Sequence, residues 1–461
     1  MFATLARKEF LANILRLRFA VAAGLCLLLV CVSLTAMLRE YAGEVRAYSA
    51  SVAMHREGNT RIESEWSLAA GHVVLDRPPA PGSILFSGLE RSTPRSADLC
   101  SLAWDRDEFY SDLDSSPTGA LFPVADLGFI IGIAISLVAV VFSYDAISGE
   151  REGGTLRLLM SFPVARASIL AAKWLGGCVG ILLPLSACYL LVCIVMLLHP
   201  GVRLSGAEWA GVALAYVASV LYVSAVYSLG LCVSASVRRS STSVMTLLLV
   251  WVILTLLVPN LAPYAAGMAA PVPSYDRVLA EKGELQAGNE REWWDQWREL
   301  REERDLSDDQ RNQRRAELTI PYLQDNEREL RRIDAMFSRK LVRHDRLARR
   351  ISRASPFACF LFAGAELCGT GLAAADDVIG QMLAYRKEYG EWALAHFEEH
   401  LLTDQPLDLE ELPREMPRFA YEPMAVDERI AAAVVDIAAL VGYNIVFLLG
   451  SVVAFLRSEP I

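Results

Sequence analysis

The chain has 461 residues, 54% of them hydrophobic and 21% charged, with a formal net charge of −10. That balance leaves no basic footprint for nucleic acid, which is excluded as a partner. Charge-free runs alternate with stretches charged at every second or third residue, and about 20 apolar residues cross a bilayer, so the chain reads as a polytopic membrane protein with water-exposed insertions.

In chain order, spans are predicted at 17–38, 125–145, 169–198, 209–235, 243–264 and 431–456. The apolar core of the first, Phe19 to Leu38, is too long for a signal peptide and lacks a small-residue cleavage site, so it is a retained helix. The insertion at 39–124 mixes helical and extended signals, and its middle, His72 to Glu90, opens as a short strand. Pro78, Pro79 and Pro81 then force an extended or turning path.

After the second span comes the most informative stretch, 144–173. Glu150, Arg151, Glu152, Arg157, Arg166 and Lys173 cannot sit in hydrocarbon, so 146–168 is an aqueous or interfacial element pinned between two spans. Gly149, Gly153 and Gly154 allow tight reversals there, and Thr155 is suited to cap a helical turn beginning beside it.

The fifth span is followed by an insertion at 265–430, mostly helical from 281 to 353. Leu330, Ile333, Phe337 and Leu341 mark one stripe, and Trp293, Trp297 and Leu300 another. Ser307 with Gln310 forms a capping box, and Pro321 marks an end or a bend. Two or more amphipathic helices packed as a hairpin are expected, either as a solvated spacer or as a docking platform for substrate or a periplasmic partner. A seventh span at 355–375 is rejected, because it contains Glu366 and four glycines or prolines. A further helix at 376–403 carries His396-Phe397-Glu398-Glu399-His400, which matches the H-x-x-E-H spelling of inverted zinc metallopeptidases. Only about 30 residues separate it from the last span, so an ordinary amphipathic helix is preferred and His396, Glu399 and His400 are weak metal candidates. In the last span, Asp436 and Asn444 form a candidate intramembrane polar site; the alternative is an Asp that bonds a neighbouring helix.

Positive-inside counting orients the whole. Arg7, Lys8, Arg16 and Arg18, the cations of 151–173, Arg238 with Arg239, and Arg457 all fall on one side of six spans, which places both termini in the cytoplasm. Of nine cysteines, six lie in apolar runs as small hydrophobes, and Cys100, Cys359 and Cys368 leave one disulfide open. No P-loop, G-x-S-x-G or H-E-x-x-H occurs.

The run Asp145, Gly149-Glu150-Arg151-Glu152-Gly153-Gly154-Thr155-Leu156, Ser161, Pro163, Arg166 and Lys173 resembles the one found after the second span in permease subunits of ABC-2 type ABC transporters. Ala6-Arg7-Lys8-Glu9-Phe10 is similar to that family's amphipathic elbow helix, here 1–16. Arg77 to Ile84 and Ser355-Pro356 resemble the branch with enlarged extracytoplasmic domains, related to gliding-motility and nitrous-oxide-reductase-maturation permeases. The resemblance implies an all-α, six-span subunit of the bacterial inner membrane, an exporter that pairs with a second permease and with membrane lipids around it. It implies a separate cytoplasmic ABC ATPase carrying ATP and Mg, with no cofactor on this chain. The coupling helix at 146–168 would then present Asp145, Gly149, Glu150, Arg151, Glu152, Gly154, Thr155, Leu156, Arg157 and Arg166 to the ATPase. Two rivals are a mechanotransmission protein that moves no substrate, and a membrane-anchored zinc metallopeptidase.

Overall fold

The computed structural model describes residues 2–457 apart from 60–63, 65–67, 69–70, 101–106, 113–124, 162–164, 304–305 and 404–410. Pro163 and part of the first insertion therefore lie outside the described residues. The described residues are almost entirely helical, and among them six helices are long and apolar enough to cross a membrane; the protein is a multi-pass membrane protein.

Helix α1 (Phe2–Ile14) lies ahead of α2 (Leu17–Asn59), the first span. The second, α3, joins Leu127–Ile130, a π-helical turn at Ile131–Ile135, and Ser136–Ser143. Two short helices come after it, α4 (Ser148–Glu152) and α5 (Thr155–Met160). Spans α6 (Arg166–Leu198) and α7 (Gly206–Ser236) come next. Span α8 joins Ser240–Val252, a π-helical turn at Ile253–Leu257, and Val258–Ala269. The last span is α14 (Val426–Arg457), after the single turn α13 (Leu412–Glu415). The bundle thus has two unlike ends: a connector end with α1, α4, α5, the 237–239 link between α7 and α8 and the C-terminal end of α14, and an insertion end with the two long insertions.

Helix α7 is the centre of the bundle, with Tyr222 and Tyr227 fully buried. Lipid supplies no hydrophobic drive between helices, so close approach through small residues decides the packing. A Cβ added to Gly177 would lie 1.8 Å from the Tyr227 hydroxyl, and one added to Gly230 would lie 1.8 Å from Ser143 Oγ. The π turn of α3 disturbs its own ladder of hydrogen bonds. Its Gly132 carbonyl accepts from Tyr222 (2.8 Å) and from Ser136 (2.6 Å), and Trp251 Nε1 donates to Ser136 Oγ (3.1 Å).

The insertion at 265–430 begins with the expected hairpin, α9 (Tyr275–Glu302) and α10 (Asp308–Ser352). Both halves of the Ser307–Gln310 capping box form. Helix α10 runs through Pro321 without ending. Trp293 packs on Trp297 and Tyr322, and Lys282 pairs with Asp334 at 2.5 Å.

The stretch rejected as a span is more than a loop. Helix α11 (Pro356–Cys368) is buried between α7 and α14, with Ser355 as N-cap and Pro356 at its first turn. Helix α12 (Leu372–Thr403) continues from it at a 41° bend. Ser355 Oγ donates to the Leu254 carbonyl, near the middle of the 30-residue α8. The base of α10 therefore descends to about half the depth of the bundle, and α11 climbs back. Phe360 stacks on Tyr222 with 4.7 Å between centroids. Glu366, the reason for rejecting a span, is bonded by Arg349 at 2.8 Å.

The first insertion differs from expectation in two ways. Helix α2 continues about 20 residues past its apolar run, and the strand at His72–Asp76 is one of three. Strands β1 (His72–Asp76), β2 (Ser96–Cys100) and β3 (Glu108–Tyr110) form an antiparallel sheet in that order, with Val74 opposite Asp98 and Ala97 opposite Phe109. Val73, Leu75, Ala97 and Leu99 pack on Val378, Met382, Tyr385 and Tyr389 of α12. Arg386 of α12 ties the two insertions together, donating to Asp107 (2.9 Å) and to Glu327 of α10 (2.6 and 2.9 Å). All nine cysteines are free thiols.

Candidate functional site

The segment Asp145–Ser161 sits at the connector end, held on one side and bare on the other. Its start is fastened by hydroxyls. Ser234 Oγ, near the end of α7, accepts from the backbone N–H of Ile147 (3.1 Å) and Ser148 (3.0 Å). Ser243 of α8 donates to the Tyr144 carbonyl at 2.7 Å. Arg18 of α2 donates to Asp145 at 3.2 Å, and Arg16 lies 3.9 Å away.

Of the charged residues of α4, Glu150 and Arg151 turn inward, whereas Glu152 stays exposed at the rim. Arg151 donates to the carbonyls of Val237 (2.8 Å) and Ala235 (3.3 Å), satisfying the C-terminal end of α7. Glu152 accepts from the Ser240 N–H (3.2 Å) at the start of α8, where a carboxylate suits the helix dipole. Glu150 pairs with Lys173 of α6 at 2.7 Å, and the same ammonium reaches Glu9 of α1 at 3.1 Å. The Lys173 side chain is only 2% exposed. One buried cation thus clamps three elements, and α1 is pressed so closely on α6 that a Cβ at Gly176 would lie 2.7 Å from the Ala6 carbonyl.

Between α4 and α5 the chain reverses at Gly154, the one residue of this segment with positive φ (+73°). A side chain there would strain the backbone; Gly149 and Gly153 need no such freedom. Gly154 is itself the N-cap of α5, and Thr155 occupies the first turn, where its hydroxyl donates back to the Glu150 carbonyl (3.3 Å). The expected capping by Thr155 is thus a bond into the preceding turn. Leu156 is buried and anchors α5, whereas Gly154, Thr155, Arg157, Leu158, Ser161 and Arg166 are exposed. Leu158 is an apolar side chain 66% exposed at the tip. Sequence reasoning passed over it, as it did Ser148 and Ser234, and it placed Glu9 in the elbow helix without its partner, which is 164 residues away.

The other candidates lie far from this end. Asp436 is fully buried and accepts from Arg353 (2.6 Å) and Arg349 (2.7 Å), both at the base of α10. Asn444 donates to the Leu221 carbonyl (2.8 Å), joining the middles of α14 and α7. His396 Nδ1 donates to the Trp392 carbonyl of its own helix (2.8 Å), with Nε2 3.7 Å from Glu415. Glu399 and His400 lie on the same helix. Among the described residues no three His, Cys, Asp or Glu side chains converge as a metal site needs.

The described residues thus form a bundle of six candidate spans with an inserted domain and a short segment after the second span that is clamped within and bare without. The profile of the ABC-2 family transporter proteins matches residues 3–459, and the chain belongs to that family. It is similar to the probable ABC transporter permease protein NosY of Stutzerimonas stutzeri, 38% identical over 90 residues, which is 19% of this chain and 32% of that protein. It is also similar to the protein of the same name from Pseudomonas aeruginosa, 43% identical over 63 residues, or 14% of this chain and 22% of that one. The match thus covers less than a third of either relative.

Proposed function

We propose that the connector end faces the cytoplasm of the bacterial inner membrane, that a separate ABC ATPase docks on α4 and α5, and that two permease subunits pair to export substrate. ATP and Mg would be held by the ATPase, with no cofactor on this chain. The observation that carries this reading is the two-sided construction of Asp145–Ser161. Its inner side is fixed to four helices, α2, α6, α7 and α8, with α1 joined through Lys173, so a push on its outer side moves them as a body. Its outer side offers Arg157, Leu158 and Ser161, a small mixed patch suited to a groove.

Of the ten residues expected at the ATPase contact, this reading keeps Gly154, Thr155, Arg157 and Arg166 on the contact face. Asp145, Gly149, Glu150, Arg151, Glu152 and Leu156 hold that face in place. Co-purification tests the division. Leu158→Glu should lose the ATPase while the chain remains folded and inserted. Retention of the ATPase by that variant would place the contact elsewhere.

A second reading, work on external partners without substrate movement, is favoured by the ion-paired junction of Asp436 with Arg349 and Arg353. That junction ties the last span directly to the hairpin. ATP-dependent hairpin motion in a complex that moves no solute would select it.

A further inference from the structure

Toward its base, α10 has three sides. One meets α8 and α9: His344 lies near Gly267, and Phe337 lies against Tyr275. A second meets α14, where Arg349 and Arg353 hold Asp436. The third is turned away from His344 and carries Arg339, Arg343, Arg346 and Arg350. These recur at steps of four, three and four residues and so share one helical face. All four are exposed, and none makes a hydrogen bond or ion pair with a described residue.

Two contacts set the depth of that face. Ser355 is bonded to the Leu254 carbonyl, near the middle of α8. With about 1.5 Å of rise per residue, Arg350 and Arg346 stand roughly 7 and 14 Å above that level. Asp436 stands roughly 8 Å above the middle of α14 by the same rise, and it is held by Arg349, the neighbour of Arg350. The two measures agree. The apolar half-slab is about 15 Å thick, so Arg350 and Arg346 lie inside it, while Arg343 and Arg339 lie at or beyond its boundary. An unpaired cation facing hydrocarbon at that depth is costly. Ionisable side chains there face the bundle interior or a water-filled cavity, and they mark solute pathways. The row is neither paired nor enclosed by its own chain, so it requires water beside it.

We propose that this face of α10 lines a water-filled vestibule open at the insertion end, and that Arg339, Arg343, Arg346 and Arg350 bind there an elongated solute with several negative charges. From Arg339 to Arg350 the row rises about 16 Å, so it addresses charges spread along a molecule rather than one compact anion. A cleft lined by one sign of charge between low-dielectric walls also concentrates the opposite ion. The facing wall comes from the second permease. The inference therefore rests on the pairing proposed above, and it adds the charge and shape of the solute to that reading.

The full chain in lipid nanodiscs, open to reagent from both sides, is labelled at R346C and R350C with a thiol reagent bearing a sulfonate and with one bearing a trimethylammonium. Each rate is divided by that of a free thiol in water, and the unsubstituted chain with its nine native thiols gives the background. L190C is the control at a dry position, since Leu190 is 62% exposed on the insertion-end half of α6. Both arginine positions should label about tenfold or more faster than L190C, because only a wetted thiol ionises readily, and the sulfonate should outpace the cation. Binding is read with a dye-labelled short polyphosphate. The R339Q/R343Q/R346Q/R350Q variant should bind it about tenfold or more weakly, as expected where charge-assisted bonds are lost. The four-lysine variant should keep most of the affinity, which guards against misfolding. R291Q/R298Q/R301Q/R314Q, which removes the same charge from exposed positions of the outer hairpin, should change little. Labelling as slow as at L190C, the result of a face in lipid or packed dry on a partner, would overturn the proposal. So would equal loss in the two glutamine variants, or inorganic phosphate competing as well as polyphosphate. The mass of the particle, measured on the same samples, decides the pairing separately. Slow labelling in a two-chain particle would sink the vestibule and leave the pairing. Fast, anion-selective labelling in a one-chain particle would keep the wetted row and remove the second permease as its wall.

Discussion

Lys173 shows how far a single residue reaches in this fold. It is buried between Glu9 and Glu150, and breaking a buried pair by removing one partner typically costs about 3–5 kcal/mol. Lys173→Met should therefore lower the thermal midpoint of the purified chain and detach α1, exposing the Ala6–Phe10 stretch to proteases. An unchanged midpoint and protection would mean that the clamp is incidental. Its identity was legible in the spacing of the 144–173 motif, but its partners were not. Glu9 is 164 residues away, and no local pattern ties an N-terminal acid to the third span. Arg151 misleads for a related reason. A charge outside an apolar run reads as solvent-facing, yet this one satisfies the C-terminal carbonyls of α7.

At the scale of elements, the six spans were legible because a long apolar run has few alternatives. Helix α11 was not, since Glu366 disqualified it until its cation, Arg349, arrived from another helix. The sheet was hidden for a similar reason: β2 and β3 are five and three residues long, and pairing makes them strands. The junction of α10 with α14 yields a prediction. Asp436→Asn removes the charge facing Arg349 and Arg353, so hydrogen exchange should rise at 345–356 while the middle of α14 stays protected. Exchange unchanged at the base of α10 would show that the junction does not fasten the hairpin. The Arg386 contact yields another, with a sign. Burial alone would raise Glu327, but Arg386 and Arg331 outweigh it and hold its pKa below the usual carboxylate value. Burial of Asp107 outweighs Arg386 and raises its pKa. The Glu327 contribution is thus present above the ordinary carboxylate pKa and lost as pH falls through the lowered value. The cost of Asp107 is instead relieved as pH falls through its raised value. At neutral pH, Glu327→Gln should cost on the order of 2 kcal/mol and Asp107→Asn distinctly less, measured by unfolding of the insertion domain. The reverse order would contradict the assignment.

For the molecule as a whole, the inserted domain is not a passenger on the bundle, because α10 reaches mid-depth and α11 is part of the core. Removing 281–353 would strip Arg349 and Arg353 from Asp436. A shorter excision near the tip, confined to the α9–α10 connection, should leave the spans inserted and the ATPase bound yet impair work on substrate or partner. Normal function after that excision would make the hairpin a spacer. The central claim, that force enters through α4 and α5, is tested most directly by a photo-crosslinking amino acid placed singly at Arg157, Leu158 or Arg298 in cells expressing the ATPase. Crosslinks from positions 157 and 158 to the ATPase, with none from 298 at the opposite end, are the predicted result. Crosslinks from 298, or none from 157 and 158 in an intact complex, would contradict it.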